Sequence, residues 1–217
     1  MQPRLACPNE LRTERLILRR WRESDREPFA RLNADPELMR YMIRALTCAE
    51  SDAFVERIER EFEEQGYGLW AVEVPGETPL IGFVGLHRQT FPAHFTPAVE
   101  VGWRLDRPYW GRGYATEAAR AALRDGFERV GLTEIVSMTT PANIRSIAVM
   151  ERLGMTRNPA DDFDHPNVPD GHPAKHHVLY RVSSKTGLLR AAPAGSSTMS
   201  RAPRTKRTKP PTRKRRT

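Results

Sequence analysis

Trp110-Gly111-Arg112-Gly113-Tyr114-Ala115-Thr116-Glu117-Ala118 is a glycine-rich turn that opens directly into a helix, just after the β-rich run 99–105. Such a turn suits an anion: successive backbone N–H groups point outward, the helix N-terminus carries partial positive charge, and glycines let a ligand approach the main chain. It is not a Walker loop, which needs Gly-Lys-Ser/Thr, nor a dinucleotide fingerprint, which needs a third glycine. Taken alone, a Gly-x-Gly turn serves structure as readily as ligand.

Downstream, the helix runs to about Val130 with Ala119, Ala122, Leu123, Gly126, Phe127 and Val130 on one face, whose small residues permit close helix–sheet approach. A strand over 134–140, a helix over 144–153 ended by Gly154, and a last strand over 177–182 follow. Upstream, 68–74 and 80–88 flank Pro75-Gly76-Glu77-Thr78, the composition of a hairpin turn. Thr47 with Glu50 is a capping box for a helix whose Phe54, Ile58 and Phe62 form one stripe up to Gly66. Ser24 with Glu27, then Pro28, signals a shorter helix after a first strand over 15–21. Antiparallel strands followed by a strand–helix–strand–helix unit predict an α+β domain with a mixed central sheet, because the crossover helix requires a parallel pair.

The chain's 217 residues suit a single domain. Its net charge of +8 is local: residues 185–217 hold 11 Lys/Arg and no Asp/Glu, leaving 1–184 with 24 basic and 27 acidic residues, a net −3. The segment 184–217 lacks bulky aliphatics beyond Leu188 and Leu189, so it reads as a disordered basic tail on a domain spanning 1–183. Its RTKRTKPPTRKRR run resembles a nuclear-localisation or nucleic-acid patch in composition, with RNA or ribosome contact as the expected partner class, the alternative being a solubilising or incidental terminus. Cys7 and Cys48 are too few for a disulfide framework, and no apolar h-region or run of about 18 apolar residues supports export or membrane spanning. A soluble cytoplasmic protein is the expectation.

The turn resembles the coenzyme A pyrophosphate loop of GNAT acetyltransferases, Gln/Arg-x-x-Gly-x-Gly/Ala, with Trp110 in place of the first Gln/Arg. That variant is similar to the branch that includes ribosomal-protein N-terminal acetyltransferases. Three further stretches resemble the same branch: LRTERLILRRW at 11–21, VEVGWRL at 99–105, and Asn143-x-x-Ser146 leading into Met150-Glu151-Arg152-Leu153-Gly154-Met155. The resemblance spans roughly 11–183. It implies a GNAT-like sheet with a splayed parallel pair, 99–105 and 134–140, and acetyl-CoA lying between them as co-substrate. The acetyl group would pass directly to an amine acceptor, with a protein N-terminal α-amine favoured by the branch and small amines also open.

Direct transfer needs a neutral amine, a stabilised oxyanion and a protonated leaving thiolate. Strand alternation sets Glu100, Gly102 and Arg104 opposite Val99, Val101 and Trp103, and the resemblance makes Glu100 the candidate base; the alternative is a solvent-facing carboxylate. An ordinary Glu, pKa ~4.3, would need a raised pKa or a water relay. The resemblance further implies cofactor contacts from Arg112, Gly113, Tyr114, Ala115 and Thr116, an oxyanion contact from a backbone N–H near Trp103, and pantetheine orientation by Asn143. Relatives often place an acid Tyr where Met150 stands, so Ser146 is the named substitute; Asn143 and Ser146 also fit polar positions at a helix start. His165, His172, His176 and His177 with Asp161, Asp162 and Asp164 sit in a proline-broken stretch that reads as an acceptor-cleft loop and not as a metal site; His87 and His94 are weak substrate candidates. A different function class, a catalytically weak GNAT-like module tethered to RNA or the ribosome by the tail, is opposed by the intact glycine turn.

Overall fold

A computed structural model describes residues 7–187. Nine strands and five helices follow the order β1 (Glu10–Arg12), β2 (Ile17–Arg19), α1 (Arg26–Ala34), α2 (Cys48–Gln65), β3 (Leu69–Val74), β4 (Thr78–Gln89), β5 (Ala98–Leu105), α3 (Tyr114–Glu128), β6 (Glu134–Thr139), α4 (Ile144–Arg152), β7 (Thr156–Arg157), β8 (Phe163–Asp164), β9 (His176–Ser183) and α5 (Ser184–Gly187). The strand order is β1-β2-β3-β4-β5-β6-β9-β7, with β8 on β9, and β5–β6 is the one parallel pair among them. The mixed sheet expected from the crossover helix is therefore present. Of the tail, 184–187 forms the short α5; 188–217 lies outside the described residues.

Helices α1 and α2 cover one face of the sheet, where Phe29, Phe54 and Phe83 pack with ring centroids 5.7–6.0 Å apart. The Thr47–Glu50 box closes the N-terminus of α2, Glu50 N–H donating to Thr47 Oγ1 and Thr47 N–H to Glu50 Oε2. Gly66, at φ 73°, ends the helix in the left-handed conformation that glycine adopts without strain. On the opposite face, α3 packs against β4 to β6 through alanines and Gly126, where an added Cβ would lie 2.8 Å from Leu86 Cδ1 and 3.0 Å from Ile135 Cδ1. The small residues are needed because helix and sheet nearly touch.

Two sequence expectations change near the N-terminus. Ser24 does not cap α1: it lies inside a 3-10 turn over Glu23–Asp25, and Asp25, the residue before α1, makes no side-chain cap bond to that helix but accepts backward from the Arg22 N–H at 2.8 Å, closing the turn. The strand 15–21 shrinks to Ile17–Arg19, because Arg20 and the Trp21 N–H turn to the Glu59 carboxylate of α2. Asp25 was not a free choice. Its carboxylate grips buried Arg19 in a fork, 2.7 and 2.9 Å, while Glu73 holds Nε at 2.8 Å and Pro79 O accepts from Nη2 at 2.5 Å. Asp25→Ala removes one partner of a buried ion pair and should cost about 3–5 kcal/mol in urea unfolding; a loss below about 1 kcal/mol would show that Glu73 alone satisfies Arg19.

Candidate active site

β5 and β6 share a single register pair, Glu100 with Val136, beyond which they diverge. The chain leaves the open end of β5 through the turn Arg107–Tyr109, capped by Asp106, whose carboxylate accepts from the Arg107 N–H at 2.7 Å. Trp110 then anchors the glycine turn: its indole N–H donates to Leu105 O at 2.5 Å, and Arg145 lies 4.7 Å from its ring centroid. Gly111 at φ 76° and Gly113 at φ 82° take the left-handed turns that lead into α3. Glu117 N–H bonds back to Gly113 O, so the N–H groups of Tyr114, Ala115 and Thr116 precede the helix's own hydrogen-bonding and are free for an anion.

These N–H groups border a cleft of about 1390 Å³ that Gly111, Gly113, Tyr114, Ala115, Thr116, Trp103, Asn143 and Ser146 all line. Arg112 contributes differently from the rest of its motif: its side chain turns to the Tyr109 ring, 5.2 Å, and to Glu77, 3.3 Å, leaving only its backbone for the cleft side. Eight arginines and three glutamates line the cleft, which favours a polyanionic ligand. One of them, Arg15, sits against the turn: Nη1 donates to Arg112 O at 3.0 Å, Nε to Glu117 Oε2 at 2.7 Å, and the guanidinium lies 4.7 Å from the Tyr114 ring centroid. Burial would raise the Glu117 pKa, but hydrogen bonds from Thr13 and Arg15 hold it below the usual range. No local pattern announces this brace, which joins residues about a hundred positions apart.

On the far side of the strands, β5 alternation and pairing with β4 turn Glu100, Gly102 and Arg104 toward α1 and α2, alongside their neighbours His87, Gly85 and Phe83. Glu100 is neither solvent-facing nor a lining residue of the cleft. It sits partly buried at the closed end of the splay, taking a hydrogen bond from Gln89 Nε2 at 2.5 Å and another from the Met138 backbone N–H. Burial raises its pKa, against the opposing pull of Gln89, His87 and the Met138 N–H. His87 is engaged with Glu61 of α2 at 2.6 Å.

Trp103 points to the α3 side and lines the cleft. Asn143 caps α4: Oδ1 accepts from the Ser146 N–H at 3.3 Å and Nδ2 donates to Thr139 Oγ1 at 3.0 Å. Ser146 is partly buried on the cleft wall, whereas Met150 is wholly enclosed in the core. Buried Thr140 Oγ1, just past β6, has no hydrogen-bond partner among the described residues. Of the loop histidines, His165 and His177 join an aromatic cluster, with Phe91 4.4 Å from His165 and Phe163 5.7 Å from His177 between ring centroids, whereas His172 Nδ1 accepts from the Ala174 N–H at 3.0 Å and His176 Nδ1 meets Asp164 Oδ1 at 3.0 Å. Among the described residues no group of three or more His, Cys, Asp or Glu could hold a metal ion, and no helix is long and apolar enough to cross a membrane.

The sequence matches the acetyltransferase (GNAT) domain family over residues 15–156. It is 30% identical to the uncharacterized N-acetyltransferase YnaD of Bacillus subtilis (strain 168) over 161 residues, 74% of this chain and 88% of that protein. It is 32% identical to FsC-acetyl coenzyme A-N(2)-transacetylase of Aspergillus fumigatus over 156 residues, 67% of this chain and 64% of that protein. The fold superposes on a GNAT-family acetyltransferase from Bacillus anthracis with a TM-score of 0.66 at 28% identity, covering 81% of this chain and 99% of that one. RimJ of Mycobacterium smegmatis in complex with CoA-disulfide shares the fold at a TM-score of 0.62 and 18% identity, covering 78% and 82%. With the glycine turn, the splayed pair and the sequence match in agreement, the chain belongs to the GNAT family of acetyl-CoA-dependent N-acetyltransferases.

Proposed function

We propose that this protein passes the acetyl group of acetyl-CoA directly to an α-amine, with a protein N-terminus as the favoured acceptor class. One observation carries the reading: a single cleft joins the anion-accepting start of α3 to the α1–α2 side of β5, where Tyr41, Met42 and Arg104 also line it. The residues fit the co-substrate, since free N–H groups at 114–116 suit a pyrophosphate and the surrounding arginines suit its remaining charge. When bound there, acetyl-CoA supplies the activated thioester.

The chain's own groups have separate tasks. Glu100 receives the acceptor's proton through a water relay, because it shares the Arg104 face of β5 but does not itself line the cleft, and its raised pKa makes it a better base than an ordinary carboxylate. A backbone N–H at the splay near Trp103 faces the developing negative charge. Ser146 offers the hydroxyl for the departing sulfur, a role closed to enclosed Met150. Asn143 holds the start of α4, and with it Ser146, against β6. An α-amine with pKa ~7.7–8.0 is substantially neutral near pH 7, whereas a lysine at ~10.4 is nearly all charged, so a relayed carboxylate serves the first better.

Thiol release from acetyl-CoA, measured across N-terminal peptides, lysine peptides and small polyamines, tests the assignment. N-terminal peptides should give the highest kcat/KM, and faster turnover of polyamines would replace the acceptor class. The basic tail is proposed as a tether to RNA or the ribosome. Truncation after Ser184 should leave short-peptide acetylation near the full-length rate while removing most salt-sensitive RNA binding, whose log–log salt slope 11 charges bound at roughly −8. A folded truncation that no longer acetylates peptide would place the tail in the catalytic cleft instead.

A further inference from the structure

Arginines in the described residues mostly find carboxylates, and buried Arg19 has two of them. Arg104 is the contrasting case. It leaves β5 toward α1 and α2, lies 5.3 Å from the Phe83 ring centroid and 5.8 Å from that of Phe54, and is largely enclosed. Nη1 donates to Asn33 Oδ1 at 2.6 Å and Nη2 approaches Met42 Sδ at 3.5 Å. Asn33 is fully buried and its amide donates to Ser51 Oγ at 2.9 Å, so its carbonyl oxygen is fixed toward the guanidinium. No carboxylate lies within ion-pair distance of Arg104 among the described residues.

Enclosing a guanidinium without a counter-charge is costly, and the loss of hydration lowers its pKa to about 10, which still leaves it charged at neutral pH. A charge held this way, in a socket of two rings and one oriented amide, is complete only when an anion arrives. The socket opens on the cleft, which Arg104 lines together with Tyr41 and Met42. Next to it on the same face, a Cβ added at Gly102 would meet nothing within 4 Å, so there is open space over the strand between Arg104 and Glu100. Four residue steps along the strand separate their Cα atoms by about 13 Å.

We propose that Arg104 is the specificity-determining anchor for a carboxylate carried by the acceptor, which lies over Gly102 with its amine several bonds away on the splay side. The inference rests on the acetyl-transfer reading for the identity of that amine. The carboxylate can come from an acidic side chain near a peptide N-terminus or from a free amino acid with a remote amine. Both present the same chemistry to the guanidinium, which a carboxylate meets through paired N–H donors.

Calorimetry in the presence of CoA, with peptides differing only by Glu or Gln at the second or third residue, and with an ω-amino acid against its amide, tests this directly. The wild-type protein should bind the carboxylate member at least tenfold more tightly, in the peptide pair, the amino-acid pair or both, which identifies the source. In Arg104→Gln the ratio should collapse to near one, and Arg104→Lys should keep part of it, since the charge remains without the planar fork. Equal binding of both members by wild type overturns the inference, and decides it even where Arg104→Gln fails to fold. A carboxylate preference that survives in folded Arg104→Gln overturns it as well. A preference that depends on Arg104 without any thiol release supports the anchor and overturns acetyl transfer instead.

Discussion

Gly113→Glu should weaken acetyl-CoA binding at least a hundredfold by calorimetry while the domain stays folded. Three effects act together. Gly113 sits at φ 82°, where a residue with a Cβ pays on the order of 1–2 kcal/mol. An added Cβ would lie 3.4 Å from Arg15 Nη2, so the new carboxylate competes with Glu117 for the guanidinium that braces the turn. It also puts negative charge among the N–H groups that would receive the pyrophosphate. Gly113→Ala carries the strain without the charge and should fall between the two. Undiminished affinity in folded Gly113→Glu would move the co-substrate away from α3.

Glu100→Gln should slow acetyl transfer by ~10²–10⁴-fold with little change in acetyl-CoA affinity, the usual span for a lost general base. The raised pKa sets the sign of the pH dependence. Burial keeps Glu100 protonated to a higher pH than an exposed Glu, so wild-type kcat/KM should fall as pH drops through a limb above the ordinary carboxylate range. The Gln variant should lose that limb, and its defect should shrink at high pH, where the amine sheds its proton unaided. An unchanged rate at neutral pH, with chemistry limiting, would reduce Glu100 to a strut that satisfies the Met138 N–H.

How far this was legible in the sequence depends on the range of the interactions. The Thr47–Glu50 box, the turn at 75–78 and the alanine face of α3 are local signals, and each is found where periodicity and capping put it. Ser24 misled because the capping-box pattern does not register that Asp25 is also demanded by Arg19, a tertiary need. Gly111 and Gly113 were readable from the turn, but Arg15, about a hundred residues earlier, was not. Asn143 reads from sequence as a pantetheine contact or as a polar helix start, and the N-cap bond to Ser146 is the local, readable part, whereas the bond from its Nδ2 to Thr139 Oγ1 depends on where β6 ends. Arg104 stood in plain view within VEVGWRL; only the absence of a carboxylate around it gives it meaning, and sequence carries no record of what a side chain lacks.

The solitary register pair between β5 and β6 has a mechanical consequence. The sheet is two half-sheets, β1 to β5 and β6 with β9, β7 and β8, stitched at one backbone position and backed by α3. Widening or narrowing the gap past that stitch breaks few interstrand hydrogen bonds, so the seam is the compliant line of an otherwise stiff plate. A long, narrow guest lying along it would act as the missing rung, turning two plates into one and coupling the guest's arrival to the rigidity of the whole domain.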